Sequence, residues 1–202
     1  MEFLKKQPAQ ISGLESFFDI CYMFATSILI TPGMKNWIFN LLLLCLTIPG
    51  FAQQDSITPP YKRFSSLPPL QVLLGDSTTI YTKKDVPSKK PVLVMIFSPE
   101  CSHCQHETEE ILAHKAQLKG VEILMVTFHP LWQMNEFVEN YKLKEQANIV
   151  VGKDIYLLLP GFYAFHNLPF HALYDKKGEL LKVFEGSMDI EKIIEAFKDQ
   201  TN

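Results

Sequence analysis

Arginine is almost absent from this chain: Arg63 is the only one among 19 basic residues. That weighs against any chemistry built on a guanidinium in the site. The net charge is −3, so there is no electrostatic footprint for nucleic acid. Cysteine is scarce too, with four in 202 residues, and no set of spaced pairs marks a disulfide-stapled scaffold. No apolar run reaches the roughly 20 residues that a comfortable membrane span needs. No internal repeat is visible. What the chain does have is apolar content, 47% against 20% charged, which is the balance of a globular protein.

The longest apolar run marks the N-terminus as a targeting sequence. Met34-Lys35 precedes the stretch from Trp37 to Ile48, and Pro49-Gly50-Phe51-Ala52 follows it. A basic start, a short apolar core and small residues at Gly50 and Ala52 make a secretory signal over 34–52, cleaved after Ala52. The competing reading is a retained membrane anchor over 37–48. A lipoprotein signal fits less well, because bulky Leu44 stands before Cys45 where a small residue is wanted. Residues 1–33 then read as an over-extended N-terminus, with Met34 as the true start. Export, here read as export to a bacterial periplasm, removes Cys21 and Cys45 and leaves Cys101 and Cys104 as the only thiols of the mature protein. Their sequence context is FSPECSHCQHE, residues 97–107.

Downstream, residues 53–69 hold four prolines among polar residues and read as a linker or extended arm. Residues 70–202 form the domain. Leu70–Leu74 and Thr78–Thr82 flank Gly75-Asp76-Ser77 as a hairpin. Pro91–Phe97 and Val121–Phe128 are continuous apolar runs suited to strands buried on both faces. A helix is expected from Cys101 to Lys119, stopped by Gly120, and another from Leu131 to Leu143. Asn148–Val151 is a short strand candidate, and 155–166 holds a helix that Pro160-Gly161 should break. Phe170–Tyr174 and Glu179–Phe184 pair across the turn Asp175–Gly178. Ser187 can cap a last helix whose Ile190, Ile193, Ile194 and Phe197 form an apolar stripe. The order implies an α/β fold with a mixed central sheet and helices on both faces.

The cysteine pair carries the chemistry. Cys101 stands where a buried strand gives way to a helix, and the unpaired N–H groups and dipole of a helix start favour a thiolate there. Cys104 lies one turn on, on the same helix face, within reach of a mixed disulfide on Cys101. His103 can add a cation beside the thiolate and so tune the pair. Other readings of the pair are two inert buried thiols, a metal site built from Cys101, Cys104, His103 and His106, or a partner-binding module that uses the same two thiolates. Zinc wants four converging ligands, and the two histidines point to different helix faces. Covalent haem needs a histidine directly after the second cysteine, where Gln105 stands.

Residues 70–200 resemble a thioredoxin-like thiol–disulfide oxidoreductase of the exported TlpA/redoxin type. The resemblance rests on the apolar strand running into Phe97-Ser98-Pro99-Glu100-Cys101-Ser102-His103-Cys104 and on Asn167-Leu168-Pro169 opening a later strand. It implies a thioredoxin-like fold with an N-terminal β-hairpin extension and an αβ insert over 131–166. It implies that Pro169 is a cis proline facing the cysteines, with Leu168 and Phe97 shaping a substrate groove. It further implies protein thiol or disulfide substrates, a membrane or soluble redox donor, a monomer, and no cofactor beyond a redox-active Cys101–Cys104 disulfide. Four residues depart from thioredoxin: Met95 replaces a buried aspartate, Glu100 replaces the tryptophan before the motif, and Ser102-His103 replaces Gly-Pro. No acid is therefore evident to take a proton from Cys104, apart from Glu100 or a water. A peroxiredoxin is the nearest enzymatic rival. Ser98 suits it, but Val94 stands where that family has proline, and no arginine follows the cysteine. His114, His129, His166 and His171 show no partner in the sequence and read as structural.

The reading of the N-terminus has a direct check. N-terminal sequencing of the exported protein is expected to begin at Gln53, and a mature chain starting upstream of Met34 contradicts it.

Overall fold

The apolar runs become the middle of a sheet. In a computed structural model, which describes residues 58–198, seven strands run in the order β2-β1-β5-β4-β3-β6-β7. They are β1 (Gln71–Leu74), β2 (Ile80–Thr82), β3 (Val92–Ile96), β4 (Glu122–Thr127), β5 (Ile149–Asp154), β6 (Phe170–Tyr174) and β7 (Leu180–Glu185). β3 lies parallel to β4, and β4 to β5; β6, β7, β1 and β2 join antiparallel. Every residue of β3, β4 and β6 is buried. A strand covered on both faces has no polar face to alternate with, which is why these runs are continuous rather than period-two.

The helices are α1 (Pro60–Arg63), α2 (Ser102–Ala113), α3 (Leu131–Asn140), α4 (Leu158–Tyr163) and α5 (Ile190–Lys198), with a 3₁₀ turn at Leu143–Glu145. One core joins Leu93, Met95 and Phe97 of the sheet side to Cys104, Ile111, Phe137, Ile193 and Phe197, so α2, α3 and α5 cover one face. The other face packs Val94, Ile96 and Tyr174 against Leu159, Tyr163 and Leu67, so α4 and the N-terminal arm cover it. The mixed sheet with helices on both faces and the N-terminal hairpin are as the sequence implied.

Of the linker and the extended arm read from the sequence, the stretch 58–69 is a packed arm: Ser66 bridges Glu179, Leu67 N–H donates to the Gly178 carbonyl, and Leu67 is buried. Three local expectations need correction. α2 ends at Ala113 rather than Lys119, because the chain must turn to sink Leu118 into the core. Asn148 holds that turn by donating to the carbonyls of Leu118 (3.1 Å) and Val121 (2.9 Å). Pro160 and Gly161 lie inside α4 instead of breaking it. Proline is tolerated in a first turn, where its missing N–H has no intrahelical partner, and Asp154 accepts the Leu159 N–H at 2.8 Å. Finally, β5 runs on to Asp154, three residues past the expected end. The signal sequence and residues 1–33 lie outside the described residues.

Gly152 is what lets β1 lie against β5. A Cβ built there would stand 2.9 Å from Val72 Cγ2 and 3.0 Å from Val72 Cβ. Val72 is buried, so neither side can yield into solvent. Gly152→Ala is expected to destabilise the fold by about 1–3 kcal/mol, the range for overpacking a core, measured by denaturant unfolding; pairing it with Val72→Ala should restore part of the loss.

Candidate active site

The site forms where β3 ends. Phe97 N–H still donates to the Val126 carbonyl at 2.9 Å, and Cys101 N–H closes a turn onto the Ser98 carbonyl at 3.1 Å. Cys101 is the N-cap of α2, with extended backbone, and its Sγ accepts the backbone N–H of Cys104 at 3.4 Å. A sulfur so placed receives a donor that the helix cannot otherwise use, at the positive end of the dipole. Gln105 fastens the loop by donating to the Pro99 carbonyl at 2.8 Å. Both thiols are free; Cys101 is half-exposed and Cys104 buried. Burial is the main reason why the Cys104 thiol is held well above its ordinary pKa, and its hydrogen bond to Cys101 adds to the effect. The two sulfurs therefore divide into a reachable one and a sealed, protonated one.

Across the sheet, the Leu168–Pro169 peptide bond is cis, as the sequence implied, and the Leu168 carbonyl lies 4.0 Å from Cys101 Sγ. Leu168 is half-buried and Pro169 buried. Phe97 is misplaced by the sequence reading. It is fully buried and its ring packs on Phe137 at 4.7 Å between centroids, so it supports the floor of the site and lines no groove. His103 is exposed on the outer side of α2. Glu100 is exposed too, and its Oε1 accepts from Gln133 Nε2 at 2.8 Å, which ties it to α3 rather than to a sulfur. Gln133 Oε1 in turn meets His129 Nδ1 at 3.1 Å. Beside this link a groove of about 570 Å³ opens, lined by Pro99, Glu100, Gln105 and the exposed Trp132.

The sequence reading missed the acid. Glu107, one turn beyond Cys104 on the inner face of α2, is 2% exposed, and its Oε1 lies 2.7 Å from Nε2 of the fully buried His171. The contact is close, yet off the line of an ordinary ring N–H hydrogen bond, and no other polar atom satisfies either group. His171 pairs in register with Met95, the position where thioredoxin's acid was found missing. The signal available in sequence was the i, i+3 spacing of Cys104 and Glu107. No group of three or more His, Cys, Asp or Glu with metal-holding geometry occurs among the described residues.

The fold and the thiol pair at the strand–helix junction define a thioredoxin-like redoxin. More particularly, the chain belongs to the AhpC/TSA family, whose model matches residues 66–193. Its fold is similar to that of a thiol:disulfide interchange protein from Chlorobium tepidum, with a TM-score of 0.56 at 14% identity over 73% of this chain and 99% of that one. It is similar to a secreted disulfide oxidoreductase of Mycobacterium tuberculosis, with a TM-score of 0.54 at 15% identity over 64% and 95%. A peroxiredoxin-like protein from Aquifex aeolicus aligns with a TM-score of 0.53 at 16% identity over 67% and 85%. These likenesses speak for the fold. A comparison with curated proteins returns no match.

The buried thiol makes stability depend on pH. The Cys104 proton is held more tightly in the folded than in the unfolded chain, so its contribution is complete below the unfolded value of about 8.5 and is lost as pH rises past it. Buried Tyr163 and Tyr174 titrate only higher, Tyr174 being pushed up to about 12. Between about pH 8.5 and 10, the dithiol form is expected to lose up to about 1.4 kcal/mol per pH unit. Denaturant unfolding at stepped pH should show this loss, and Cys104→Ala should flatten it.

Proposed function

We propose that this protein is an exported thiol–disulfide oxidoreductase that acts on protein thiols or disulfides. The observation that carries the reading is the unequal pair: Cys101 half-exposed at a helix N-cap, with Cys104 sealed behind it and donating its backbone N–H to the Cys101 sulfur. Cys101 is the nucleophile. It attacks a substrate disulfide and forms a mixed disulfide, one substrate sulfur leaving as thiolate. Cys104 then attacks Cys101 Sγ, the second substrate sulfur leaves, and the Cys101–Cys104 disulfide closes. The run in reverse oxidises a substrate dithiol. The pair itself is the redox group, with no further cofactor, and a membrane or soluble thiol donor resets it.

The resolving step needs a base inside the protein, because Cys104 is out of reach of solvent. Glu107 fills that role. It is a neighbour of Cys104 on the same helix face, and its charge opposes ionisation of the thiol while it remains unprotonated. Leu168 and Pro169 offer main chain to the substrate segment beside Cys101, and His103 and Glu100 tune the approach from solvent. Peroxide chemistry is less well supported. Arg63, the only arginine, lies on α1, which packs with α4 on the other face of the sheet from Cys104. Export rests on the signal-like segment 34–52 and on the secreted relative from Mycobacterium tuberculosis. No helix of the described residues is long and apolar enough to cross a membrane.

Cys104→Ser tests the assignment. It is expected to accumulate substrate proteins covalently on Cys101, released by dithiothreitol and seen as shifted bands without reductant. Cys101→Ser should trap nothing. Absence of any trapped partner from Cys104→Ser, together with no oxidation of the wild-type pair by a protein disulfide, sinks the assignment.

A further inference from the structure

Glu107 has a partner that the exchange reaction has so far left idle. His171 is fully buried on β6, two residues after the cis proline, with Nε2 2.7 Å from Glu107 Oε1. The other polar atoms of both side chains, Glu107 Oε2 and His171 Nδ1, have no partner in the interior. Two buried titratable groups held against each other and against nothing else are costly unless they serve each other. An ionised carboxylate alone in such a place costs several kcal/mol, and a proton on the neighbouring imidazole cancels that charge.

The surroundings leave the pair dependent on one proton. From the sheet, His171 is flanked in register by Met95 on β3 and Phe184 on β7, neither of which can ionise. On α2 the other buried titratable group is Cys104, one turn before Glu107, and the Glu107 charge acts on its thiol. Glu107 also lines a crevice of about 170 Å³ between α2 and α5, which His106 and Glu110 line from α2, and Asp189 and Glu191 from the α5 side. The lining carries three carboxylates besides Glu107 and one histidine, His106; Asp189 is paired with Lys192 at 2.7 Å and Glu110 lies 3.9 Å from His114. The imidazole is the basic group that Glu107 meets, so a proton moved from Cys104 can rest there.

We propose that His171 is a positioning residue that stores a proton: through the Glu107 carboxylate it takes the proton that Cys104 loses as the Cys101–Cys104 disulfide closes, and returns it when that disulfide opens. The step balances. The Cys104 Sγ–H bond breaks and its electron pair forms the bond to Cys101 Sγ. The mixed-disulfide bond breaks, and the substrate sulfur leaves with its electron pair as a thiolate that takes a proton from water. The Cys104 proton passes to Glu107 and settles on His171 Nε2. The dithiol state holds Glu107 ionised beside neutral imidazole, and the disulfide state holds the carboxylate–imidazolium pair.

This inference rests on the thiol–disulfide reading and has its own signature. Oxidation of the wild type then releases one fewer proton than oxidation of His171→Gln, which can still hydrogen-bond to Glu107 but cannot be charged. In redox equilibrium with glutathione between about pH 6 and 8, reduction of the wild type should become more favourable with rising pH by tenfold more per unit than that of the variant, about 30 mV. In parallel, ring ¹³C and ¹⁵N shifts of His171 in the unmodified protein should report imidazolium in the disulfide form and neutral imidazole in the dithiol form. That measurement decides the matter if the variant does not fold. Equal slopes, or a ring in the same protonation state in both redox forms, overturn the proton store while leaving the exchange reaction standing. Failure of the wild type to form a Cys101–Cys104 disulfide at all overturns both.

Discussion

The site depends on the burial of one helix face. Cys104, Glu107, Thr108 and Ile111 repeat at helical spacing along α2 and are all sealed against the sheet. Two of the four are apolar in effect, and Thr108 satisfies itself by donating to the Cys104 carbonyl at 2.8 Å. The helix could not shift along the sheet without exposing Ile111 or burying the charged outer face. The pressing of that face onto β3 and β6 therefore fixes which cysteine is reachable. It sets Cys101 at the rim, where the helix offers free N–H groups, and Cys104 beneath it, where a thiolate is unfavourable. The asymmetry that exchange chemistry needs is thus a packing result before it is an electrostatic one.

The same burial explains what was legible in the sequence. β3, β4 and β6 announced themselves because strands covered on both faces must be apolar throughout. The last helix did so because Ile190, Ile193 and Phe197 could form a stripe only at helical period, and all three are buried. The cysteine pair and the proline at 169 could be read because their chemistry demands fixed local spacing. What could not be read depended on distant contacts. Nothing local says that α2 stops at Ala113; the cause is an asparagine 35 residues on, at position 148, holding the turn. Nothing local says that Phe97 points into the core, since a residue at a strand end can face either way. Pro160 and Gly161 inside α4 read as breakers because position within a helix, not identity alone, decides whether proline is tolerated.

The acid of the site shows the limit most sharply. Met95 at the expected place suggested that no carboxylate served Cys104, and Glu100 was the visible substitute. In the fold Glu100 is held by Gln133 at the surface, while the interior acid comes from α2 itself and meets a histidine on the strand beside Met95. Positions 95 and 107 lie on different elements, yet both are buried and both meet His171, Met95 in register across the sheet and Glu107 at 2.7 Å from the helix. The arrangements differ in one respect. A lone buried acid has only two charge states and must face a cost in one of them. An acid paired with imidazole can pass between a charged and a neutral pair with the gain of a single proton. Met95 and Phe184 flank His171 with no charge of their own, so neither neighbouring strand offsets a charge on the pair. The departure from thioredoxin at position 95 then sets an uncharged side chain opposite the histidine that Glu107 meets, and leaves the charge of that pair to the proton the two can share.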